Sequence, residues 1–545
     1  MAGRMKWMRA LVLTGAFAAL SGMTAFAANM KAGIDSLTIN AENPKKLNIK
    51  MHCNQDSSGT DGKIYIFEIK PYQSDLSGRK DPITSVDAAA DMSAEFALDA
   101  GPGEKRLYSA FVAAVKSGSG YEMVSDRHYI TNPEVIAPNQ EPAKNDGKKG
   151  LRVDPNLIDD ALSLNIKHAG VDIPTQRFFG QGISYFYEGK TFQINKSLID
   201  QLDQEVKRLS DSGVAVTAIL LNGWNSTVPE LNRSGITELP KEQALYYAFN
   251  VETETGFRAA KAMASYLAKR YNGKNGVGKI TNWVVGNEID NQYWNYTGDY
   301  DVQNYMKIFD TSFRVFYTGI KAESANDNVM FSIDHYWGME PEAAPVGKYK
   351  GKDVVEWFNY WDKEQGQTDW GLALHPYPYP LSRPDFWNGD KAKLSNSPDS
   401  PVVSFGNLNV VTDFMQTEKL RNPKGQVRNI FLTEEGFTSI QGGEDKSALQ
   451  AAAVAYSYYI VHNNPYIKAY LMSRQEDSEP EVKVGLAFGL STIRDNQLIH
   501  KQAHDVFAKI DDPGSSLSVS EFAKPIIGIQ DWNQVIPGFK APGQQ

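Results

Sequence analysis

The sequence predicts a (β/α)₈ TIM barrel preceded by a β-sandwich-like domain, and three observations carry this prediction. A chain of 545 residues is longer than one small core requires, which indicates two or more domains. After about residue 150, eight apolar strand-like runs alternate with helical patterns, as in parallel sheets with right-handed crossovers. Long irregular stretches follow these strands and short ones precede them, which is typical of barrels whose C-terminal face is elaborated.

The composition is that of a folded protein with a mildly acidic charge. Lys and Arg total 56 and Asp and Glu total 65, so the formal net charge is −9. That balance argues against broad, nonspecific nucleic-acid binding, which needs a basic face. A single Cys excludes an intrachain disulfide, and together with only 8 His it makes a Cys-based zinc site implausible.

Residues 1–27 have the pattern of a secretory signal peptide. Three basic residues precede a short apolar run over 10–20, and Ala25–Ala27 provides an A-x-A cleavage pattern. The alternative is an uncleaved membrane anchor, but the run is too short to span a bilayer as a helix. No later stretch reaches the roughly 18 apolar residues of a membrane span. We therefore expect a secreted protein, extracellular or periplasmic, without a membrane span.

The mature chain divides into segments of different composition. Residues 30–135 contain strand-like runs separated by Gly-rich turns, which favours a small β-sandwich as an accessory domain. Its strands are predicted at 47–53, 63–72, 106–116 and 121–130. Residues 136–149 are rich in Pro, Asn and Lys and are predicted to be a linker. The barrel is expected over 150–512, followed by a C-terminal extension over 513–545 that either packs on the barrel or forms a tail.

Eight strands and eight helices account for the barrel region. The strands are predicted at 150–153, 165–173, 214–222, 280–288, 329–337, 370–378, 429–437 and 466–474. Each strand is followed by a segment with apolar residues at helical spacing. The helices are predicted at 156–164, 197–213, 251–273, 301–324, 351–366, 407–420, 447–463 and 501–511.

The loops that follow the strands are rich in aromatic side chains. They include Trp224, Tyr293, Trp294, Tyr296, Trp337 and Trp387. Any one of these rings could simply pack in a core. Together they fit a sugar-stacking cleft, because sugar faces are apolar and their rims form hydrogen bonds.

Two carboxylates stand where apolar strands reach the same face of the predicted barrel. Glu288 ends the fourth strand, and either Glu434 or Glu435 ends the seventh. An acid at such a position costs stability unless it is used or paired. Two acids across one barrel mouth suit glycoside hydrolysis, in which one protonates the leaving oxygen and the other attacks the anomeric carbon or activates water. Because side chains alternate, Ile430, Leu432 and Glu434 share one face and Glu435 lies on the other, which leaves both glutamates open.

With Asn-Glu on strand four and Thr-Glu-x-Gly on strand seven, the sequence resembles clan A glycoside hydrolases, the retaining (β/α)₈ glycosidases, of a bacterial secreted type. The resemblance is one of pattern and covers about residues 148–500. It implies that Glu288 is the general acid/base, that Asn287 holds the sugar 2-hydroxyl and that Glu434 is the nucleophile. The expected function is retaining hydrolysis of β-glycosidic bonds in a polysaccharide or oligosaccharide; sugar type, linkage, and exo or endo action stay open.

The other candidate substrate-binding residues also lie at strand ends. They are Asn222 and Trp224 on strand three, His335 and Trp337 on strand five, His375 and Tyr377 on strand six, and Arg474 on strand eight. In the clan, a strand-six His or Tyr often contacts the nucleophile or substrate, whereas strand eight often carries Trp where this chain has Arg474. Many members have an Arg near the end of strand two; here His168 occupies that neighbourhood, and the Arg is not evident.

Other chemistries have less support in the sequence. It contains no H-E-x-x-H zinc-protease motif, no G-x-S-x-G elbow and no Walker A loop. Asp154, Asp159 and Asp160 fit a helix start better than a metal site, so no metal is expected. Carboxylate chemistry requires no cofactor. The alternative function is a noncatalytic glycan-binding protein on a TIM-barrel scaffold, since a fold does not guarantee activity; an exported adhesion or scaffold protein is a third hypothesis.

Overall fold

A computed structural model describes residues 32–53, 61–101, 104–143, 146–342 and 346–544. The predicted signal peptide, residues 1–27, lies outside these ranges. The chain divides into two compact units. One unit consists of the chain up to Asn132 together with 364–366, and the other consists of 133–363 and 367–545.

The first unit consists of short antiparallel strands in two main sheets. Its strands are β1 Ala32–Ile39, β2 Lys46–Cys53, β3 Lys63–Ile69, β4 Thr84–Asp87, β5 Asp91–Ala97, β6 Asp99–Gly101, β7 Glu104–Lys105, β8 Ala110–Ser117, β9 Gly120–Met123 and β10 His128–Tyr129. One sheet has the order β1-β2-β5, and the other has the order β10-β8-β3-β4 with β9 paired to β8. Phe96 of β5 and Phe111 of β8 lie with ring centroids 5.4 Å apart, so the two sheets face each other as in a sandwich.

The predicted strand 121–130 is wrong in its extent. The chain pairs with β8 over β9 and again over β10, and the pairing is interrupted after Val124, whose N–H donates to the carbonyl of Ala113 at 2.9 Å. In the gap, Ser125 Oγ accepts the backbone N–H of Ala113 at 2.8 Å in place of a ladder hydrogen bond. Arg127 then donates to backbone carbonyls within 71–73. These side-chain hydrogen bonds divide the expected strand into two.

The second unit contains the predicted barrel. Its strands are β11 Lys149–Arg152, β12 His168–Pro174, β13 Gly182–Tyr187, β14 Lys190–Asn195, β15 Ala215–Leu221, β16 Ile280–Val285, β17 Asn328–Ile333, β18 Trp370–Leu374, β19 Ile430–Glu435, β20 Ile440–Gln441, β21 Glu444–Asp445, β22 Ile467–Met472, β23 Ser491–Arg494 and β24 Gln497–His500. Eight of them close into a parallel barrel in the order β11-β12-β15-β16-β17-β18-β19-β22. All eight predicted barrel strands are confirmed, and the other six strands form hairpins in the loops.

Helices alternate with the barrel strands. They are α1 Ile158–Ser163, α2 Lys196–Asp211, α3 Glu254–Arg270, α4 Val302–Lys321, α5 Gly351–Glu364, α6 Asn409–Met415, α7 Ser447–His462, α8 Glu479–Lys483, α9 Gln502–Lys509, α10 Ser516–Ser520 and α11 Ala523–Ile527. Three long helices begin at side-chain caps, Asn195, Thr253 and Asp301, which each accept a first-turn N–H. The predicted helix 407–420 is shorter than expected, because a 3₁₀ turn over 418–420 follows α6. Among the described residues, no helix combines the length and apolar character needed to cross a membrane.

Two segments outside the alternation also pack within the barrel unit. In 136–149, predicted as a linker, Asn139 is buried and its backbone forms hydrogen bonds with residues 323–325. After residue 512, the ring of Trp532 packs edge-on against Tyr459 of α7, with centroids 4.8 Å apart. Buried side chains and backbone pairing therefore attach both segments to the barrel helices.

The barrel has one apolar core inside the strands and a larger one between strands and helices. The interior core consists of Ile219, Leu221, Val284, Met330, Ala373, Phe431, Ala469 and Leu471. Residues that alternate with these along the strands point outward and are covered by the helices. Beyond the interior layer, the next inward positions are polar: His375 follows Ala373, and Thr433 follows Phe431. This polar layer forms the mouth of the barrel.

The outward core makes a direct prediction for stability. Phe331 of β17 is fully buried, with its ring centroid 4.5 Å from that of Phe358 and 5.4 Å from that of Trp370. Phe331→Ala should lower the unfolding free energy of the barrel unit by about 3–5 kcal/mol, measured by urea denaturation. The matched control is Phe186→Ala, because Phe186 is 71% exposed and its loss should change stability by less than about 0.5 kcal/mol. Equal losses in the two variants would contradict this packing.

Candidate active site

A β-bulge at the end of β19 decides which of two consecutive glutamates faces the barrel mouth. Leu432 and Glu435 are three residues apart on β19, but they pair with residues only two apart on β22. The extra residue places Glu434 on the same inward side as Thr433 and returns Glu435 to the outward side. The strict alternation expected from the sequence is therefore wrong at this point, because a bulge interrupts the period of two.

Glu434 is held through both carboxylate oxygens. Its Oε1 accepts the hydroxyl of Tyr377 at 2.9 Å, and its Oε2 is paired with Arg152 at the end of β11. Burial alone would raise the pKa of Glu434, but nearby positive charge, above all that of Arg152, lowers this pKa to about 2. Glu434 is therefore an ionised carboxylate at neutral pH.

Glu288 lies in an unusual backbone conformation directly after β16. Its φ is +38°, a region that few residues other than glycine adopt. Gly286, two residues earlier, has a φ of +77° and begins the turn. The backbone N–H of Glu288 donates to Ser332 Oγ at 2.8 Å, which fixes the turn to β17. This conformation directs the carboxyl of Glu288 into the barrel mouth.

The carboxyl of Glu288 is the first member of a short hydrogen-bonded chain. Its Oε1 lies 2.7 Å from Nδ1 of His375, whose Nε2 lies 3.0 Å from Oγ1 of Thr433. Burial, and then the negative charges of Asp334 and Glu434, raise the pKa of Glu288 well above its ordinary value. The protonated form is therefore favoured at Glu288 and the ionised form at Glu434. Carboxyl groups in these two states are the acid and the nucleophile of a two-carboxylate mechanism.

Arg152 was not among the predicted site residues, although it ends the first strand. It pairs with Glu434 and also with Asp172 of β12. His168, which stands where the resemblance suggested an arginine, lies deeper in the barrel with its Nε2 2.9 Å from the carbonyl oxygen of Gly147. Burial lowers the pKa of His168 to about 4, so it is a neutral core residue. The signal that could have identified Arg152 is its place at a strand end on the same face as the two glutamates.

Asn287 and Arg474, both predicted to bind substrate, also lie at the mouth. Asn287 is 7% exposed and precedes Glu288 in the turn after β16. Arg474 is instead paired with Glu481, at 3.0 Å from Nε to Oε2 and 2.5 Å from Nη2 to Oε1. The charge of Arg474 nevertheless contributes to the low pKa of Glu434. Arg474 therefore acts on the site electrostatically.

The prediction that Trp337 binds substrate is wrong, because its side chain is buried. Its side chain is 1% exposed, its Nε1 donates to the carbonyl of Pro398 at 3.0 Å, and its ring packs edge-on against Phe414. Trp387 likewise packs against the outward core. The loops after β17 and β18, which carry these two indoles, pack against the outer helices. The two indoles therefore stabilise the loops instead of facing a ligand.

Three further candidates, Asn222, Trp224 and His335, contact neighbouring protein groups. The amide of Asn222 donates to the backbone carbonyl of Tyr247 at 3.0 Å, which anchors the loop after β15. Trp224 packs edge-on against the ring of Tyr247 with centroids 5.2 Å apart. His335 is buried with its Nδ1 2.6 Å from Asp334, whose charge contributes to the raised pKa of Glu288. Asn222 and Trp224 thus hold Tyr247, and His335 holds Asp334.

Three aromatic side chains, Tyr246, Trp294 and Tyr293, form a surface that was not predicted in this form. Tyr246 packs on the interior core, and burial together with the charges of Asp172 and Glu434 raises its pKa. Trp294 stacks on Tyr246 with centroids 6.0 Å apart, and Tyr293 packs against the edge of Trp294. Half-exposed stacked rings beside ionised groups suit the alternating apolar and polar surfaces of a sugar.

A cavity of about 930 Å³ opens beside Arg152, between the ends of β11, β12 and β22. Its lining includes Asp172, Glu205 and Arg474 but neither Glu288 nor Glu434. Arg152 lines the cavity and also pairs with Glu434. Burial, with the charges of nearby aspartates, raises the pKa of Glu205 to about 8.

Glu435 yields a prediction about pH and stability. It is fully buried, and neither of its carboxylate oxygens has a hydrogen-bond partner within the described residues. Burial, with the charge of Glu434, raises the pKa of Glu435 well above its ordinary value of 4.5. The folded chain keeps this proton while the unfolded chain releases it, so the group's contribution to stability is lost as pH rises above about 4.5.

Glu435→Gln should therefore remove part of this pH dependence. We expect the unfolding free energy of the variant, measured by urea denaturation at several pH values, to increase relative to that of the wild type between pH 5 and pH 8. The variant is thus expected to gain stability relative to the wild type as the pH rises. Phe186→Ala is the control, because it removes no titrating group and its offset from wild type should be independent of pH. A constant offset for Glu435→Gln as well would contradict the buried, protonated state.

Comparison with known proteins places this chain in a family. No curated protein matches it. Similar solved structures include a family 39 glycoside hydrolase from Bacteroides cellulosilyticus WH2, at 14% identity and a TM-score of 0.46 over 89% of this chain and 83% of that chain. A hyperthermophilic β-glucosidase from Pyrococcus furiosus matches at 13% identity and 0.43 over 69% and 87%, and a family 1 β-glucosidase from Thermotoga maritima at 12% and 0.42 over 65% and 85%. The model of a family of unknown function, DUF5722, matches residues 141–535. That span includes every barrel strand, and the chain belongs to the DUF5722 family.

Proposed function

We propose that the barrel unit is a retaining β-glycosidase that acts on an oligosaccharide or polysaccharide. The observation that carries this proposal is the environment of two carboxyl groups in one barrel mouth, one in contact with His375 and the other paired with Arg152. Burial and neighbouring anions raise the pKa of Glu288, whereas Arg152 holds Glu434 ionised. One site thus contains a proton donor and an anionic nucleophile, the two groups that retaining hydrolysis requires.

In the first step, the Glu434 carboxylate attacks the anomeric carbon while the bond from that carbon to the leaving oxygen breaks. Glu288 gives its proton to the leaving oxygen, and a glycosyl ester forms on Glu434. The negative charge of Glu434 is then consumed, which removes one of the causes that raise the pKa of Glu288. Glu288, now ionised, is suited to act as a base in the second step.

In the second step, Glu288 takes a proton from a water molecule whose oxygen attacks the same carbon. The ester bond breaks, the sugar leaves with its original anomeric configuration, and both glutamates return to their starting states. His375 orients the Glu288 carboxyl throughout, because it bridges that group to Thr433. Asn287 next to Glu288 is placed to hold the sugar 2-hydroxyl, as the clan resemblance implies.

Export and a polymeric substrate belong to the same proposal. The signal-peptide pattern of residues 1–27 supports secretion. A secreted enzyme would meet extended glycans outside the cell. The aromatic surface of Tyr246 and Trp294 and the cavity beside Arg152 support binding of more than one sugar unit. The mechanism needs no cofactor.

Substitution of each glutamate tests the assignment. Glu288→Gln should lower kcat by about 10²–10⁴-fold on a β-glycan that the wild type cleaves, because the variant cannot donate a proton. Glu434→Gln should abolish turnover, because the amide is no nucleophile. Glu435→Gln is the matched control and should keep wild-type activity, since that side chain points away from the mouth. Product analysis on a panel of β-glycans provides the readout, and proton NMR of the first product should show the β-anomer.

Three outcomes would count against the proposal in different ways. Full activity in Glu434→Gln would contradict its role as nucleophile. An α-anomer as first product would indicate inversion, in which Glu434 activates water. Binding of glycans without any product would favour the noncatalytic alternative.

Arg152 should control the pH profile. Activity requires Glu434 ionised, above a pKa of about 2, and Glu288 protonated, below its raised pKa. Arg152→Gln should shift the acidic limb of kcat/KM upward by at least about one pH unit, because an opposite charge lowers a carboxyl pKa by roughly 1–3 units. The control is Arg258→Gln, because Arg258 forms an exposed pair with Glu254 on α3. An unchanged acidic limb in Arg152→Gln would contradict the electrostatic role of Arg152.

A further inference from the structure

Three side chains that could bind a metal ion converge beside the barrel, apart from the two glutamates. Asp160 belongs to α1, His500 ends β24, and His504 lies in α9. One ligand atom from each, Oδ1 of the aspartate and a ring nitrogen of each histidine, lies within 4.8 Å of the other two. Asp160 Oδ1 is 3.6 Å from Nε2 of His500 and 3.6 Å from Nε2 of His504. Ligands at about 2.0–2.1 Å from a tetrahedral ion lie about 3.4 Å apart, so the spacing fits.

His504 is the observation that points to a ligand. It is 8% exposed, and neither ring nitrogen has a hydrogen-bond partner within the described residues. A buried polar atom without a partner costs free energy, and such atoms are rare in folded proteins. The distance of 3.6 Å to Asp160 exceeds hydrogen-bond length, so the carboxylate does not satisfy the ring. An ion between the two groups would.

The neighbours of the other two side chains leave their ligand atoms available. Nδ1 of His500 lies 3.0 Å from Ser491 Oγ, which leaves Nε2 free on the opposite side of the ring. Asp160 Oδ2 accepts the amide of Gln475 at 2.6 Å, which leaves Oδ1 directed at the two imidazoles. Hydrogen bonds of this kind, to the atom that does not bind the metal, are characteristic of metal sites in proteins.

We propose that Asp160, His500 and His504 bind one zinc-like divalent ion, with a fourth position open to water. Two imidazoles and one carboxylate suit Zn²⁺ better than Mg²⁺ or Ca²⁺, which prefer oxygen ligands alone. The two rings stack in the structure with centroids 3.6 Å apart and planes 17° from parallel. Binding requires a rotation that makes their lone pairs converge, and His500 can supply it because its side chain is 43% exposed.

Such an ion would brace the rim of the cavity. It would link α1, which carries Asp160, with α9 and the β23–β24 hairpin, which carry the two histidines. Gln475 links this cluster to the cavity, because its Oε1 accepts the backbone N–H of Asp154 at 3.2 Å. Asp154 and Gln475 both line the cavity beside Arg152. The expected role of the ion is therefore structural.

Zinc titration of the tag-free, chelator-treated chain tests the proposal. Calorimetry should show one Zn²⁺ per chain, and Co²⁺ in its place should give the visible absorption bands of a four-coordinate site. His500→Ala should weaken Zn²⁺ binding at least about 100-fold, and Gln475→Ala about 10-fold or more, as loss of a group that orients a ligand does. His500 is exposed, so its variant should fold; circular dichroism verifies this for every variant.

His462→Ala is the matched control, because His462 lies in α7 away from the cluster, with its ring stacked on Tyr458. It should keep wild-type Zn²⁺ affinity and the Co²⁺ spectrum. No saturable Zn²⁺ binding by the wild type, or equal losses in His462→Ala and His500→Ala, would overturn the proposal. Because the readouts are metal binding and absorption, the result is independent of whether the barrel hydrolyses glycans.

Discussion

The ion pair between Arg152 and Glu434 is the interaction on which the rest of the site depends. A carboxyl buried in a barrel mouth gains a proton unless a cation compensates it, and a second buried carboxyl nearby makes this worse. Arg152 is close to Glu434 because β11 and β19 both neighbour β22 in the closed barrel. It also pairs with Asp172 on its other side, so its position is held from two directions. With Glu434 kept anionic, its charge in turn favours the protonated form of Glu288.

Two local departures from regular backbone direct the two glutamates. The bulge on β19 places Glu434 inward although strict alternation would separate it from Thr433. The positive φ of Glu288 turns its side chain toward His375 directly after β16. Bulges and strained residues are uncommon and tend to occur at functional sites, where surrounding contacts compensate for the strain. Here the compensation at Glu288 includes the hydrogen bond from its N–H to Ser332.

Buried polar groups divide into those that face the mouth and those that do not. Glu435 lies in the outward core, where neither carboxylate oxygen has a hydrogen-bond partner among the described residues, and burial raises its pKa. The cluster of Asp160, His500 and His504 also lies outside the mouth, but there the potential ligand atoms of three side chains lie within 4.8 Å of one another. The prediction that Asp160 belongs to a helix start is correct for its backbone, since it lies in the first turn of α1. Its carboxylate meets the histidines only through folding of distant segments.

The order of the amino acids predicts the alternation of strands and helices, because apolar residues recur with a period of 2 in strands and 3.6 in helices. It also determined that Glu288 and a glutamate of β19 reach one face, since parallel strands end on the same side. The folded structure distinguishes Glu434 from Glu435, because the bulge depends on pairing with β22. It also revealed Arg152 as the partner and Trp337 as a core residue, because ion pairing and burial depend on which segments meet in space. Patterning thus specified the scaffold, and long-range contacts specified the chemistry.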